Sequence, residues 1–311
     1  MNSYPRIVFL GTPDFAVASL RALLENGFPV VAVVTAPDKP AGRGLQLTES
    51  AIKRYAVQKN IPVLQPLKLK DPEFLEQLKS FQADVQVVVA FRMLPEIVWE
   101  MPALGTINLH GSLLPQYRGA APINRAIMNG ETKTGVTTFK LQQEIDTGNI
   151  LLREEIPIGP DETAGELHDR MKEVGAKLVV QTIRGLIDET IQGKPQGETD
   201  PSSLKMAPKI FTSDCEINWT DPVSKIHNQI RGLAPFPGAF TSFDGKMLKI
   251  FRSRPEKMNR ETKPGEMQTD GKNWLRYSAS DGYIYIEEMQ LEGKKKMQTS
   301  DFLRGYRPSQ A

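Results

Sequence analysis

Residues 105–127 read GTINLHGSLLPQYRGAAPINRAI. The stretch begins as a short apolar strand, Thr106 to His110, on which Asn108 and His110 stand two residues apart, so both side chains leave the same face. A loop rich in Gly and Pro then breaks the strand. Two polar groups able to handle a carbonyl therefore meet at the carboxyl end of a strand, the edge where open α/β sheets bind ligands.

Toward the N-terminus, RIVFLGT (residues 6–12) is a nearly continuous apolar run ending in Gly. Thr12 is a suitable helix cap, Pro13 suits the first helical position, and the pattern runs to about Asn26 before Gly27 closes it. Val30 to Thr35 is a second apolar run. This β-α-β unit, with a further buried strand at Val85 to Ala90, predicts a parallel sheet covered on both faces. The turn GTPDFA lacks G-x-G-x-x-G, and Pro13 removes an amide that a phosphate would use, so the sheet is Rossmann-like without a dinucleotide. Residues 49–59 and 72–80 read as amphipathic helices with a short strand at 61–64 between them, and Pro95 starts a short helix. The segment TAPDKPAGRGLQLTES (35–50) reads as a long loop carrying Lys39 and Arg43. It is either a solvated connection or a lid whose cations meet an anionic substrate.

Toward the C-terminus, residues 135–141 and 150–158 suggest two antiparallel strands joined by QQEIDTGN, and a long helix runs from Thr163 to about Leu186. Residues 188–208 carry the Gly, Pro and Ser content of a linker. Beyond it come one helix (222–231) and short strands at 238–243, 247–252, 265–268, 274–278 and 283–290, a pattern for a small sandwich or barrel. The expected division is 1–189, a linker over 190–207, and 208–311.

With 311 residues, 40% apolar and 24% charged, the chain reads as two ordinary globular domains. A single cysteine, Cys215, excludes an internal disulfide framework. The absence of a leader pattern or an apolar run of ~18 residues predicts a soluble, cytoplasmic protein. Net charge is +2, but residues 1–190 hold 20 Lys/Arg against 22 Asp/Glu and residues 191–311 hold 19 against 15. The second part permits a polyanionic partner without requiring one. Of three histidines, His168 reads as solvated on the long helix and His227 has no assigned role. None forms a ligand cluster of recognisable spacing, so no metal is expected. His110 can be a structural histidine or an acid–base group, and Asp146 of EIDTG is by default a turn-forming residue.

Asn108-x-His110 followed by SLLPQYRGAAPI and IDTG resembles the 10-formyltetrahydrofolate-dependent formyltransferases. The likeness spans nearly the whole chain, through FLGTPDFA, VVTAPDKPAGRGLQL, VLQP, VVVAF, TGV, INW, IRGLAPFPGAF and LEGKKKM. It implies an α/β Rossmann-like formyltransferase domain with a mainly parallel sheet, followed by a smaller OB-like β-barrel domain. It also implies transfer of the formyl group of 10-formyltetrahydrofolate, as co-substrate, to the amino group of methionyl initiator tRNA; a monomer is the default expectation. Asn108, His110 and Asp146 are implied as the catalytic trio, and the chemistry suits their types. Asn108 and protonated His110 can donate to the oxyanion formed when an amine attacks the formyl carbon, while Asp146 pairs with the imidazole and relays protons.

The folate is implied to lie against Phe91, Arg92, Met93 and Leu94, against Ser112, Leu113, Leu114 and Pro115, and against Gln142 and Glu144. The family usually has AYGxxLP where this chain has AFRMLP, one residue shorter. Arg92 then either meets the glutamate tail of the folate or projects into solvent. Lys39 and Arg43 are implied at the acceptor end of the tRNA, with Lys209, Lys246 and Lys249 on its backbone, supported by other cations of the second part such as Lys205, Arg252, Arg254 and Lys294–Lys296. Two rivals remain: the same chemistry on an amino-sugar nucleotide, and a nucleic-acid-binding protein that kept the sheet without activity.

Overall fold

The computed structural model describes residues 4–41, 46–197, 200–259 and 261–305. By packing, residues 1–118, 135–156 and 168–205 form one unit, and residues 119–134, 157–167 and 206–311 form a second. Most of the segment expected as a linker thus belongs with the first unit. Two stretches from before residue 189 belong with the second.

In the first unit, β1 (Ile7–Gly11), α1 (Asp14–Glu25) and β2 (Val30–Val34) make the β-α-β unit. Every residue of β1 is buried, as its continuous apolar sequence demands of a strand covered on both faces. The cap of α1 differs from expectation. Pro13 itself holds the extended cap position and no side chain caps the helix, because the chain enters the helix one residue later than the Thr12 reading assumed. The expected long loop after β2 is partly folded: β3 (Lys39–Ala41) and β4 (Gln46–Thr48) pair as a short antiparallel hairpin. The chain continues through α2 (Ala51–Gln58), β5 (Val63–Leu64), α3 (Pro72–Ser80), β6 (Val85–Val89), α4 (Glu96–Trp99) and β7 (Thr106–His110).

A helix that sequence periodicity did not mark, α5 (Pro122–Met128), belongs with the second unit. β8 (Lys133–Lys140), β9 (Ile150–Pro157) and α6 (Ala164–Ile187) follow. The seven-stranded sheet has the order β5-β2-β1-β6-β7-β8-β9. Pairing is parallel from β5 to β7 and antiparallel between β7 and β8.

β7 owes its position to close packing behind it. Leu109 lies so near α6 that a Cβ added at Gly175 would stand 2.7 Å from its Cδ2. A mid-helix glycine costs about 1 kcal/mol relative to alanine, and here it allows helix and strand to approach. The odd-numbered face of β7 is thereby sealed, and Asn108 and His110 project from the even-numbered one.

In the second unit, α7 (Val223–Leu233) buries Ile226, Ile230 and Leu233 against an antiparallel sheet. The strands are β10 (Ala239–Phe243), β11 (Lys246–Lys257), β12 (Met267–Thr269), β13 (Leu275–Ser278), β14 (Gly282–Leu291) and β15 (Met297–Gln298), and α8 (Thr299–Gly305) follows them. Their order is β10-β11-β14-β13-β12, with β15 on β14. Register shifts around Arg252 add twist to the long β11, which curls the sheet into an OB-like half-barrel. On the face away from the core, the Arg254 guanidinium lies 4.2 Å from the Tyr285 ring centre. Arg276 lies 3.8 Å from that of Tyr283 and donates to the Tyr285 hydroxyl at 2.8 Å. No helix among the described residues is long and apolar enough to cross a membrane.

Candidate active site

His110 ends β7 and is 7% exposed. Its Nε2 lies 2.8 Å from the carbonyl oxygen of Tyr117. A carbonyl only accepts, so Nε2 carries a hydrogen and Nδ1 is the nitrogen left for chemistry. Nδ1 faces Asp146 Oδ2 at 3.7 Å. That is ion-pair range and beyond the length of an ordinary hydrogen bond. Asn108, half-buried, stands on the same face two residues earlier. The trio expected from sequence is therefore one buried cluster as regards His110 and Asp146, with Asn108 beside it on the strand.

How Asp146 arrives there is less obvious. β8 runs antiparallel to β7, with Thr137 opposite His110 and Lys140 opposite Ile107. It therefore leaves the sheet at the wrong end, and the loop 141–149 has to fold back over the face. Two features make the return possible. Gly148 passes so near the Lys140 carbonyl that a Cβ there would stand 1.7 Å from its oxygen. Asp146 itself takes φ +54°, the left-handed region that Asp tolerates better than most residues. The DTG sequence is thus a steric requirement as well as a chemical one.

The loop after β7 is fixed by short hydrogen bonds. The Thr137 hydroxyl donates to the Ser112 carbonyl at 2.6 Å and accepts from the Leu114 amide at 3.2 Å, while the Ser112 hydroxyl donates to the Gln116 carbonyl at 2.6 Å. Ser112 and Leu114 are fully buried, Leu114 against Phe139 and Ile150. Of the four residues expected at the folate here, those two shape the loop from inside. Leu113 and Pro115 are half-exposed.

Phe91 to Leu94 leave β6 level with His110, since Val89 pairs with Leu109. Leu94 is buried and Phe91 packs on the first unit's core, while Met93 is 69% exposed. Arg92 is exposed. It donates to the carbonyls of Leu67 at 3.0 Å and of Pro66, and its guanidinium centre lies 5.7 Å from the Phe91 ring. A planar fork with five donors suits two neighbouring carbonyls, so the departure from the family glycine ties this segment to the one after β5. Gln142 and Glu144 are exposed, as is Ile145 at 58%.

Three supporting residues escaped the sequence reading: Tyr117, Arg118 and Gln196. The Gln196 amide donates to the carbonyls of Asp146 (2.7 Å) and Gly148 (2.9 Å), and its oxygen accepts from Arg118 Nη2 (2.6 Å) and Nε (3.1 Å). Gln196 lies in a Gly- and Pro-rich stretch whose composition signals only a linker. No motif pointed to it.

Of the cations expected on RNA, Lys39 is exposed at the start of β3, and Arg43 lies outside the described residues. Lys209 is exposed with its ammonium 5.8 Å from the ring centre of Phe211, and Lys246 is exposed at the start of β11. Lys249 is committed differently, donating to the Pro237 carbonyl at 2.9 Å. Arg252 pairs with Glu166, and Lys296 pairs with Glu288 at 2.7 Å. His227 is buried between Ser253 (3.1 Å) and Asp161 (3.3 Å), and burial, reinforced by the Arg231 cation, pushes its pKa down despite Asp161. No group of three or more metal-ligating side chains occurs among the described residues.

The chain matches two family models, one described as formyl transferase over residues 5–183 and one as formyl transferase, C-terminal domain, over residues 209–307. A methionyl-tRNA formyltransferase of Parabacteroides distasonis is 51% identical over 310 residues, covering 97% of this chain and 96% of that one. A protein of the same name from Bacteroides fragilis is 47% identical over 312 residues, covering 98% and 96%. Among solved structures, the sugar 3N-formyl transferase WlaRD, crystallised with dTDP and 5-N-formyl-THF, superposes with a TM-score of 0.68 at 22% identity, covering 95% of this chain and all of that one. HypX from Aquifex aeolicus in complex with tetrahydrofolic acid gives 0.64 at 20% identity, over 97% of this chain and 47% of that one.

Proposed function

Since the chain belongs to the formyl transferase family, we propose that it moves the formyl group of 10-formyltetrahydrofolate to the free amino group of methionyl initiator tRNA, for translation initiation. The observation that carries this reading is the likeness to methionyl-tRNA formyltransferases at 47–51% identity through both domains. The sugar formyltransferases share the fold at only 22% identity.

The chemistry follows from the cluster. The neutral amine attacks the formyl carbon, a C–N bond forms, and the carbonyl oxygen becomes an oxyanion. Asn108 donates its amide to that oxygen, and the Nδ1–H of protonated His110 donates beside it. Asp146 accepts the proton the amine sheds, directly or through water. The oxyanion then collapses to the carbonyl as the C–N10 bond breaks, N10 of the folate leaves with a proton delivered from His110, and the proton held by Asp146 passes back to His110. The charge count is unchanged: one proton leaves the amine and one arrives on N10.

The residues read as meeting the folate include several left exposed. Exposed Met93 and Ile145 offer apolar surface to a flat pterin, and Phe91, Leu113, Pro115, Gln142 and Glu144 are the further candidates. Lys39 serves the acceptor end of the tRNA, and Lys209 and Lys246 its backbone. The first unit carries the transfer and the second most of the RNA contacts, in a cytoplasmic monomer.

The test is to incubate the protein with 10-formyltetrahydrofolate and, separately, methionyl initiator tRNA, uncharged tRNA or an amino-sugar nucleotide. Formyl on the charged tRNA alone is expected. Formyl on the sugar nucleotide would replace the substrate assignment.

A further inference from the structure

We infer that Gln196 is a positioning residue for the transfer, holding Asp146 in register with His110; this rests on the formyl-transfer reading above.

Asp146 is held by a returning loop whose preceding residues, 142–145, are exposed, and its own backbone sits at φ +54°. Such a conformation in a non-glycine residue costs on the order of 1–3 kcal/mol and persists only where neighbours impose it. Gln196 is a neighbour that does so. Its side-chain amide has two hydrogens, and they reach the carbonyls of Asp146 and Gly148 at 2.7 and 2.9 Å, on either side of Thr147. Its oxygen is taken by the Arg118 fork. The amide orientation is forced, because carbonyls only accept and a guanidinium only donates.

The other end of this contact bears on His110. Arg118 follows Tyr117, whose carbonyl takes the Nε2 hydrogen of His110, and the Tyr117 amide donates to the Lys205 carbonyl at 2.6 Å. The bonds close a circuit running from His110 to Tyr117, Arg118, Gln196 and Asp146, and back across the 3.7 Å gap to His110. Both members of the reacting pair are thus indexed to one glutamine that touches neither reacting side chain. The residue type is specific: glutamate would keep the length and the Arg118 partner but present oxygens to two carbonyls, and methionine would keep the length with no donor at all.

The experiment compares Gln196→Met, Gln196→Glu, Arg118→Met and the Gln196→Met/Arg118→Met double variant with the parent. It reads kcat, the KM values of 10-formyltetrahydrofolate and methionyl-tRNA, and the thermal melt. A reacting geometry displaced by about 1 Å typically loses on the order of 100-fold. The expected result is a fall in kcat of about 10- to 100-fold in both Gln196 variants, with both KM values within about two-fold of the parent. The double variant should lose no more than the worse single one, since the residues act as one unit. A kcat within about two-fold of the parent in Gln196→Glu would overturn the inference, as would losses that multiply in the double variant. If Gln196→Met does not fold, Gln196→Glu, which preserves shape and the Arg118 contact, decides alone. A parent protein that forms no formyl-methionyl-tRNA overturns the functional reading instead.

Discussion

His110 Nδ1 and Asp146 Oδ2 face each other at 3.7 Å, inside the range of an ion pair and outside that of a hydrogen bond. The other imidazole nitrogen is spent on the Tyr117 carbonyl, so under the proposed mechanism Nδ1 is the nitrogen that serves the reacting groups. Asp146→Asn keeps the shape and removes the charge and the proton acceptor. With one oxyanion donor worth roughly 100- to 1,000-fold in turnover, Asn108→Ala and His110→Ala should each lower kcat by about that factor, and Asp146→Asn by at least about 100-fold. Single-turnover formylation with purified methionyl-tRNA reads this. Near-parent turnover in any one variant removes that residue from the trio.

Gly148 makes a separate prediction about the same loop. A methyl group there meets the Lys140 carbonyl at 1.7 Å, which no side-chain rotation relieves, so the main chain has to move. Gly148→Ala should lower kcat at least about tenfold, because Asp146 lies two residues away. It should also cost about 1–3 kcal/mol, the usual range for overpacking. Activity and a denaturant melt check both, and an unchanged melt would show that the loop relaxes freely.

The residues explain why part of this was legible and part was not. β1, β2 and β6 are short apolar runs closed by turn residues, and such runs have few readings once a β-α-β spacing is seen. Asn108 and His110 were visible because strand periodicity alone puts them on one face. Asp146 was not visible from periodicity: the register of β8 sends the chain away from His110, and only the close pass at Gly148 brings it back. The short hairpin of β3 and β4 hid in a Gly/Pro-rich stretch, and α5 in a seven-residue run too brief for a period. Gln196 was illegible because a hydrogen bond to a main-chain carbonyl leaves no mark on the partner's residue type.

His227 predicts the pH dependence of stability in the second unit. Burial and the Arg231 cation hold its folded pKa below the ordinary value near 6.5, with Asp161 opposing only in part. The unfolded chain therefore binds the proton more readily, and stability must fall as pH drops below about 6.5, levelling once the folded imidazole is itself protonated. Thermal melts between pH 8 and pH 5 should show that fall for the parent. They should show a shallower one for His227→Gln, which can still reach Ser253 and Asp161. Identical slopes for the two proteins would assign the pH dependence to other groups.

The cations of the second unit divide by what they already hold. Lys209 and Lys246 are exposed, whereas Lys249 donates to the Pro237 carbonyl at 2.9 Å. If Lys209 and Lys246 contact tRNA phosphates, Lys209→Ala and Lys246→Ala should each raise the KM for methionyl-tRNA. Each should also flatten the dependence of log affinity on log salt by about one unit, with kcat unchanged. Lys249→Ala should act instead through the melt, because it removes a tie to the Pro237 loop. A salt slope unaltered by either exposed lysine would move the RNA-binding surface elsewhere on the unit. A slope lowered by Lys249→Ala alone would reverse the division argued from Pro237.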